Sequence, residues 1–437
     1  GTIRKIATDL AQEARIGSTI ELEGREYPYR PAGVYGYRGL AGHMDGGANI
    51  MALRMINMLI GSFNVPGGHA GVPLFPGVAP WYRPTLHPTS GFWIKPGPDG
   101  TIFPMPSQLH PPVPFSFPPN SSHLIEWFPV GMDSPQVSLL TMAEPEKFHL
   151  PVVPDTMIIW HTNPLVTVPA TDKVEQLLKR MKFIVSINIH HDESTEFADV
   201  ILPDRTYLER SVAWPFAESP YVAGWQYAQA VIEPLYNTKD ATDTLVELAE
   251  RAGFLPELNS MLNFMLWAVP PHELRPDQKY TSEEIWDRQL KSVCGDEYGV
   301  EWFSRHGSLA RRWKAEELYC PNDTAAGHTR YPFYFEWVKK QGDELQRNLK
   351  ANGLDWWDTS DYVTLPLWKT TKLHQEPPQY DMYAMIWKAA YINFAETVDI
   401  PWIAEIALLD PHQGSLLMNT ETAKAKGIED GDTVLIK

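Results

Sequence analysis

Residues 156–203 carry the pattern that most narrows the fold. A short apolar run, TMIIW at 156–160, is followed by ATDKVEQLLKRM at 170–181, whose apolar positions recur at helical spacing. Two further apolar runs follow, KFIVSINI at 182–189 and ADVILP at 198–203. Apolar runs this short, alternating with a helical stretch, bury both of their faces most simply as parallel strands joined by a crossover helix. Thr171 stands where it can cap the first helix. A second helix, DATDTLVELAERAG at 240–253, stops at Gly253, a residue suited to a left-handed helix end. The expectation is an α/β fold with a doubly wound, mainly parallel, Rossmann-like sheet.

The rest of the chain arranges itself around that unit. With 437 residues it exceeds one ordinary core. Residues 1–70 read as the helix-rich start of the α/β domain, with an amphipathic helix at 2–15, a short strand AGVYGY at 32–37 and a buried helix at 48–60. Residues 71–155 are an excursion crowded with Pro, Trp and Phe, in which regular ladders are blocked but burial is demanded. Residues 156–253 are the alternating part, and 254–375 a helical and irregular insertion in which Thr281 and Glu284 form a plausible capping box. From 376 to 437 a new unit starts; SLLMNTETAKAKGIEDGDTVLIK at 415–437 reads as strand, helix, turn and strand, the opening of a β-barrel cap.

Composition excludes some functions. A net charge of −17 is wrong for a nucleic-acid surface, although it leaves room for a local phosphate site. Cys294 and Cys320 are far apart and neither lies in a CxxC, which argues against a disulfide framework or a zinc or iron–sulfur site within this chain. No run has the length of a membrane span, and nothing at the start resembles a signal peptide. The sequence opens inside an apparent helix and stops inside an apparent strand, so it reads as an internal piece of a longer catalytic subunit, or one part of a split one.

In an open parallel sheet ligands bind beyond the carboxyl ends of the strands. Two such ends are legible: HTNPLV at 161–166 and NIHHDEST at 188–195. Adjacent strands set Asn163 and Asn188 on one rim, where short polar side chains and free N–H groups suit ribose, guanine or phosphate. Asn163 before Pro164 is equally readable as a turn residue. Asp243 either caps its helix or accepts from a guanine amino edge. His190 and His191 are adjacent, so on a strand they face opposite ways and do not share a metal. No nucleophile elbow, phosphate-binding glycine loop or metal-ligand spacing is present. The residues alone reach a nucleotide-type binding sheet and no reaction.

Beyond that, MIIWHTNPLVTVP followed by FIVSINIHHDESTEFADVILPDRTYLER resembles the signature of the molybdopterin oxidoreductases, the dimethyl sulfoxide reductase superfamily. Three further segments agree in order: GHMDGGANIMALRMINMLIGSFNVPGG at 42–68, YAMIWKAAYINFAETVDIPWIAEI, and LLMNTETAKAKGIEDGDTVLIK. The resemblance covers about 1–70, 155–253 and 380–437, and leaves the Pro-rich and Trp-rich middles uncovered. It implies a bis-molybdopterin guanine dinucleotide with molybdenum or tungsten. It implies that Asn163, Pro164, Asn188, Arg210, Asp243, Lys388, Tyr391 and Asn393 hold the cofactor, and that His43 lies close to the metal cavity. For His43 a purely structural place at a helix start is an equal reading. The family's ETA segment is EST here, at Glu193 to Thr195. Its four-cysteine motif and the segment bearing the protein's metal ligand are missing, so the iron–sulfur cluster, of the four-iron four-sulfur type, is expected outside this chain. The implied reaction is two-electron redox with oxygen- or sulfur-atom transfer, leaning to sulfur or arsenic oxyanions: thiosulfate, polysulfide, tetrathionate or arsenate. Nitrate, formate or dimethyl sulfoxide chemistry is the enzymatic alternative, and a non-catalytic cofactor-fold subunit of a respiratory complex the other. Implied partners are the remainder of the catalytic subunit, an iron–sulfur electron-transfer subunit and a membrane anchor, with no nucleic acid; the implied location is periplasmic or membrane-associated.

Overall fold

The computed structural model describes residues 1–36, 38–42, 46–62, 65–68, 85–86, 93–96, 102–104, 135–150, 153–219, 222–312, 314–319, 334–354, 358–370, 380–387, 389–392, 397 and 400–436. Helix α1 spans Thr2–Glu13, as its periodicity predicts, but none of its residues is buried. A hairpin follows, β1 (Thr19–Leu22) and β2 (Arg25–Pro28), closed by Glu23 and Gly24, both at positive φ. Two consecutive left-handed residues make the tight turn whose twist matches a hairpin. The expected strand at 32–37 is corrected: 31–36 forms no strand. In place of a neighbouring strand, the buried Asn57 side chain accepts from Val34 N at 2.8 Å and donates to Val34 O at 2.7 Å. That amide satisfies the backbone as a ladder partner would. Helix α2 is Arg38–Ala41 and α3, which presents Asn57, is Gly46–Ile60. Beyond α3, a Cβ on Gly68 would stand 2.3 Å from Ser62 O, so the chain closes on itself there only with glycine.

A small antiparallel sheet, β3 (Thr85–Leu86), β4 (Trp93–Pro96) and β5 (Ile102–Pro104), lies in the Pro-rich region. Helix α4 (Pro135–Ala143) leads to the central unit: β6 (Thr156–Trp160), α5 (Pro164–Thr167), α6 (Thr171–Arg180), β7 (Phe183–Asn188) and β8 (Val200–Pro203). The three strands are parallel in the order β6-β7-β8, with Trp160, Ile187 and Leu202 in register. Val174 and Leu178 of α6 bury against Ile159 and Ile184, with Leu139 and Leu140 of α4 packed alongside. Each such buried side chain contributes roughly 1.5–3 kcal/mol of transfer free energy. The opposite face keeps Ile158, Trp160 and Val200 exposed, so among the described residues the sheet is covered on one side. Thr171 is not the cap of α6: Ala170 holds that place at φ 64, and the Thr171 hydroxyl donates to Leu165 O instead.

Strands β9 (Val212–Ser219) and β10 (Val222–Ala228) form an antiparallel hairpin, followed by α7 (Ala241–Ala252), α8 (Leu255–Leu266), α9 (Ser282–Cys294) and α10 (Val300–His306). Thr281 and Glu284 form the capping box of α9, as its sequence predicts. Strand β11 (Ser308–Arg312) then pairs with β10, so close at Gly224 that a Cβ would lie 2.0 Å from Leu309 O. Leu290, Val293 and Phe303 cover this sheet against Trp225 and Tyr227. The chain continues through α11 (Ala315–Leu318), α12 (Glu336–Ala351), α13 (Pro401–Ala407) and α14 (Thr420–Lys426). The barrel expected from 376 onward does not form among the described residues: the runs flanking α14 are unpaired, and Leu416, Leu417, Leu435 and Ile436 are exposed. A strand needs a partner, and none of the described chain supplies one.

Candidate functional site

The carboxyl ends of β6, β7 and β8 meet on one rim. His161 N donates to Ile187 O at 3.3 Å, and Asp204 N to Asn188 O at 3.0 Å, extending the ladder past each strand. Asn163 precedes Pro164, the first residue of α5, and its carbonyl accepts from Val166 N and Thr167 N. The turn role read from the sequence is therefore met by its backbone. Its buried side chain does something else. Nδ2 donates to Glu193 Oε2 at 2.6 Å, and Oδ1 accepts from Ser194 Oγ at 2.7 Å. Ser194 Oγ in turn accepts from Leu165 N at 3.1 Å.

Asn188 is tied to the same loop. Its Nδ2 donates to Asp192 Oδ2 at 2.8 Å, while Asp192 Oδ1 accepts from Thr195 N and Thr195 Oγ1 at 2.8 and 2.7 Å. Thr195 Oγ1 also sits 3.1 Å from Ser186 Oγ inside β7. The four residues 192–195 thus bracket both asparagines, and the rim expected from strand order is built by this loop. The Glu193 carboxyl lies below the usual carboxylate range, first because its own N–H points at it and second through the Asn163 amide. His190 and His191 are exposed; His191 lies 3.4 Å from Glu196, and among the described residues no group of three or more His, Cys, Asp or Glu is arranged around a metal.

A second knot follows β8. The Asp204 side chain is 0% exposed. Its Oδ1 accepts from Arg205 N at 2.8 Å and Ala241 N at 2.9 Å, and its Oδ2 lies 2.6 Å from His161 Nε2. Burial pushes its pKa up more than any single contact lowers it, yet the contacts with His161, Arg205 N–H and Trp160 together hold it below the ordinary value. Glu209 ties the same turn down, accepting from Leu235 N, Thr206 N and Thr206 Oγ1. Arg205 Nε and Arg210 Nε are buried there without a partner. His161, Asp204 and Arg205 escaped the sequence reading. The available signal was an acid placed directly after a strand that ends in proline.

Asp243 is not the cap of its own helix. Asp240 caps α7, accepting from Thr242 N, and Asp243 reaches across to accept from Ser282 N at 2.6 Å at the start of α9. Tyr391 donates to Asp410 Oδ2 at 2.8 Å and lies to Gln413 Oε1 at 3.1 Å. Its pKa is raised, by burial first and by Asp410 second. His43, Lys388 and Asn393 lie outside the described residues.

A family model described as molybdopterin oxidoreductase matches residues 29–251, more than half of the chain. A periplasmic nitrate reductase of Desulfovibrio desulfuricans is 31% identical over 192 residues, 42% of this chain and 24% of that protein. The molybdopterin-containing subunit of a thiosulfate reductase from Salmonella typhimurium is 21% identical over 63% of this chain and 33% of its own length. Formate dehydrogenase H of Escherichia coli is 25% identical over 61% of this chain and 31% of that protein. The chain therefore spans about a quarter to a third of the length of these relatives.

Proposed function

We propose, from the premise that this chain belongs to the molybdopterin oxidoreductase family, that the rim formed by β6, β7 and β8 holds one guanine dinucleotide arm of a bis-molybdopterin guanine dinucleotide. The side chains on the rim fit such a group. Two buried guanidinium N–H donors without acceptors, on Arg205 and Arg210, suit a diphosphate. Asn163 and Asn188 add amides fixed in orientation, which suit a nucleoside. The observation that carries the reading is the bracketing of both asparagines by residues 192–195 at the ligand end of a parallel sheet.

When bound, the molybdenum or tungsten pterin supplies two-electron redox chemistry with oxygen- or sulfur-atom transfer. This chain's residues supply placement. Asn163 and Pro164 would hold one edge of the nucleoside, Asn188 would meet it from the next strand, and Arg210 would bond the phosphates. Asp243, at the start of α7, would accept from the guanine amino edge in addition to Ser282 N. The family resemblance assigns Tyr391, Lys388 and Asn393 to the pterin and His43 to the neighbourhood of the substrate. The substrate class is a sulfur or arsenic oxyanion, a lean supported by the likeness to a thiosulfate reductase subunit over 63% of the chain. The rest of the catalytic subunit carries the iron–sulfur cluster and receives electrons from an iron–sulfur subunit at the membrane, on the periplasmic side; the likeness to a periplasmic nitrate reductase supports that placement.

The decisive measurement is on the intact protein purified from its host. Molybdenum or tungsten near one per molecule, with GMP released on acid hydrolysis, is the expected result. Neither metal nor GMP would leave a cofactor-free scaffold. Turnover of thiosulfate, tetrathionate or arsenate with a reduced viologen dye tests the substrate class, and activity confined to nitrate would remove the lean.

A further inference from the structure

Helix α12 and the loop after it lie beyond residues 29–251, which the family model matches. Leu345 and Leu349, one turn apart on α12, bury against Leu354, with Phe148, Leu150 and Tyr362 packed alongside. Gly342 stands in the middle of this helix, where glycine weakens it. The close approach of the loop accounts for it: a Cβ on Gly342 would lie 2.1 Å from Tyr362 Cβ. The loop is pinned as well as close. Phe335 N donates to Thr364 O at 3.0 Å, Tyr362 N to Thr359 O at 3.2 Å, and Lys369 Nζ to Ser360 O at 2.8 Å.

Helix and loop enclose a cavity of about 690 Å³, inside the range of roughly 300–1,000 Å³ usual for ligand sites. Its ionic side chains are all engaged. Lys339 Nζ donates to both Asp343 carboxylate oxygens at 2.8 Å, and Asp358 Oδ1 accepts from Ser360 N at 2.9 Å. Its neutral polar groups are not. Among the described residues the Tyr362 and Thr364 hydroxyls and the Gln346 amide make no hydrogen bond, and neither do the backbone groups of Leu365 and Leu367. Burial, with Asp361 second, pushes the Tyr362 phenol up to about 12, so at neutral pH it is a donor. Val363, Leu365 and Leu367 add aliphatic surface at alternate positions.

This lining selects by chemistry. A charged ligand would give up hydration and meet no free opposite charge. A hydrocarbon would leave the phenol and the open backbone unpaired. A sugar would set its own hydroxyls against the aliphatic row. A peptide unit brings one N–H, one C=O and an apolar side chain, which is what these groups complement. We propose that the cavity between α12 and residues 358–367 binds a short uncharged peptide segment of a partner protein, through Gln346, the Tyr362 hydroxyl and the backbone of Leu365 and Leu367. The assignment is independent of the dinucleotide reading.

The probe is the capped peptide Ac-Leu-Ser-Leu-Ser-NH2, added to the intact protein and followed by saturation-transfer NMR of the peptide. Saturable binding with a Kd on the order of 1 mM or tighter is expected. Gln346→Ala and Tyr362→Phe should each weaken it about tenfold, the worth of one hydrogen bond. Neither side chain bonds within the chain, so the melting temperature and pterin content should stay at the wild-type level. Ac-Leu-Asp-Leu-Asp-NH2 should bind at least about tenfold more weakly, because its carboxylates find no free cation. Absence of saturable binding by the uncharged peptide overturns the proposal. So does binding unchanged in both variants, or equal binding of the two peptides.

Discussion

Asn163 is the residue on which the rim turns. Its backbone starts α5 and its side chain reaches a different loop, so one position joins two strand ends. Asn163→Ala removes both side-chain bonds and leaves the buried Ser194 hydroxyl without its acceptor. The expected result is a loss of about 1–3 kcal/mol in denaturant unfolding together with reduced pterin content. Pterin content at the wild-type level would confine Asn163 to the turn. Asp243 needs a subtler substitution, because its carboxylate holds the N-terminus of α9. Asp243→Asn keeps an acceptor for Ser282 N–H but loses the charge suited to a guanine amino edge. It should keep its melting temperature and retain less guanine dinucleotide; equal retention would make Asp243 a helix-junction residue.

At the scale of elements, packing is decided by contacts that have no room to spare. Gly224 lies where β10 meets β11, and a Cβ there would stand 2.0 Å from a carbonyl oxygen of the backbone. Gly224→Ala should therefore push β11 away and lower stability by about 2 kcal/mol or more, read as a shifted denaturation midpoint with unchanged slope. A midpoint within experimental error of wild type would mean that β11 is not seated on β10. Asn57 shows the converse case, a polar group that belongs in a core. It replaces a missing strand for Val34, and Asn57→Leu would leave a half-buried N–H and C=O without partners, at a cost of about 1 kcal/mol or more. The expected strand at 32–37 failed for this reason. Its composition suits a strand, but at Val34 an α3 side chain took the place of a neighbouring strand.

For the molecule as a whole, acid is the weakness built into the rim. Glu193, Asp204 and Glu209 all have folded pKa values below their ordinary ones, through hydrogen bonds to amides and, for Asp204, the contact with His161. A depressed carboxylate adds stability that is fully present above its unfolded pKa, about 4, and is lost as pH falls through the folded value. Unfolding free energy should be level from about pH 5 to 7 and drop below about pH 4. Glu209→Gln, which no longer titrates, should show a shallower drop. An identical acid profile in that variant would place the sensitivity elsewhere.

Some of this was fixed by local chemistry and is legible in the letters. The parallel strands, α6, α7 and the α9 capping box follow from apolar spacing and capping residues that act within a few positions of themselves. The order of the strand ends then puts Asn163 and Asn188 on one rim. Other features depend on residues far apart in the chain. Asp204 sits beneath His161, 43 positions before it, because two strands end together, and its burial alone turns an unremarkable turn acid into the anchor of the site. Asp243 left its own helix for Ser282, and Thr171 gave up its cap to bond Leu165 O, because partners brought by the fold were better placed than local ones. Sequence set which groups were available; only the packing of distant segments decided which of them meet, since a hydrogen bond or an ion pair forms over a few ångströms of space and not over a stretch of chain.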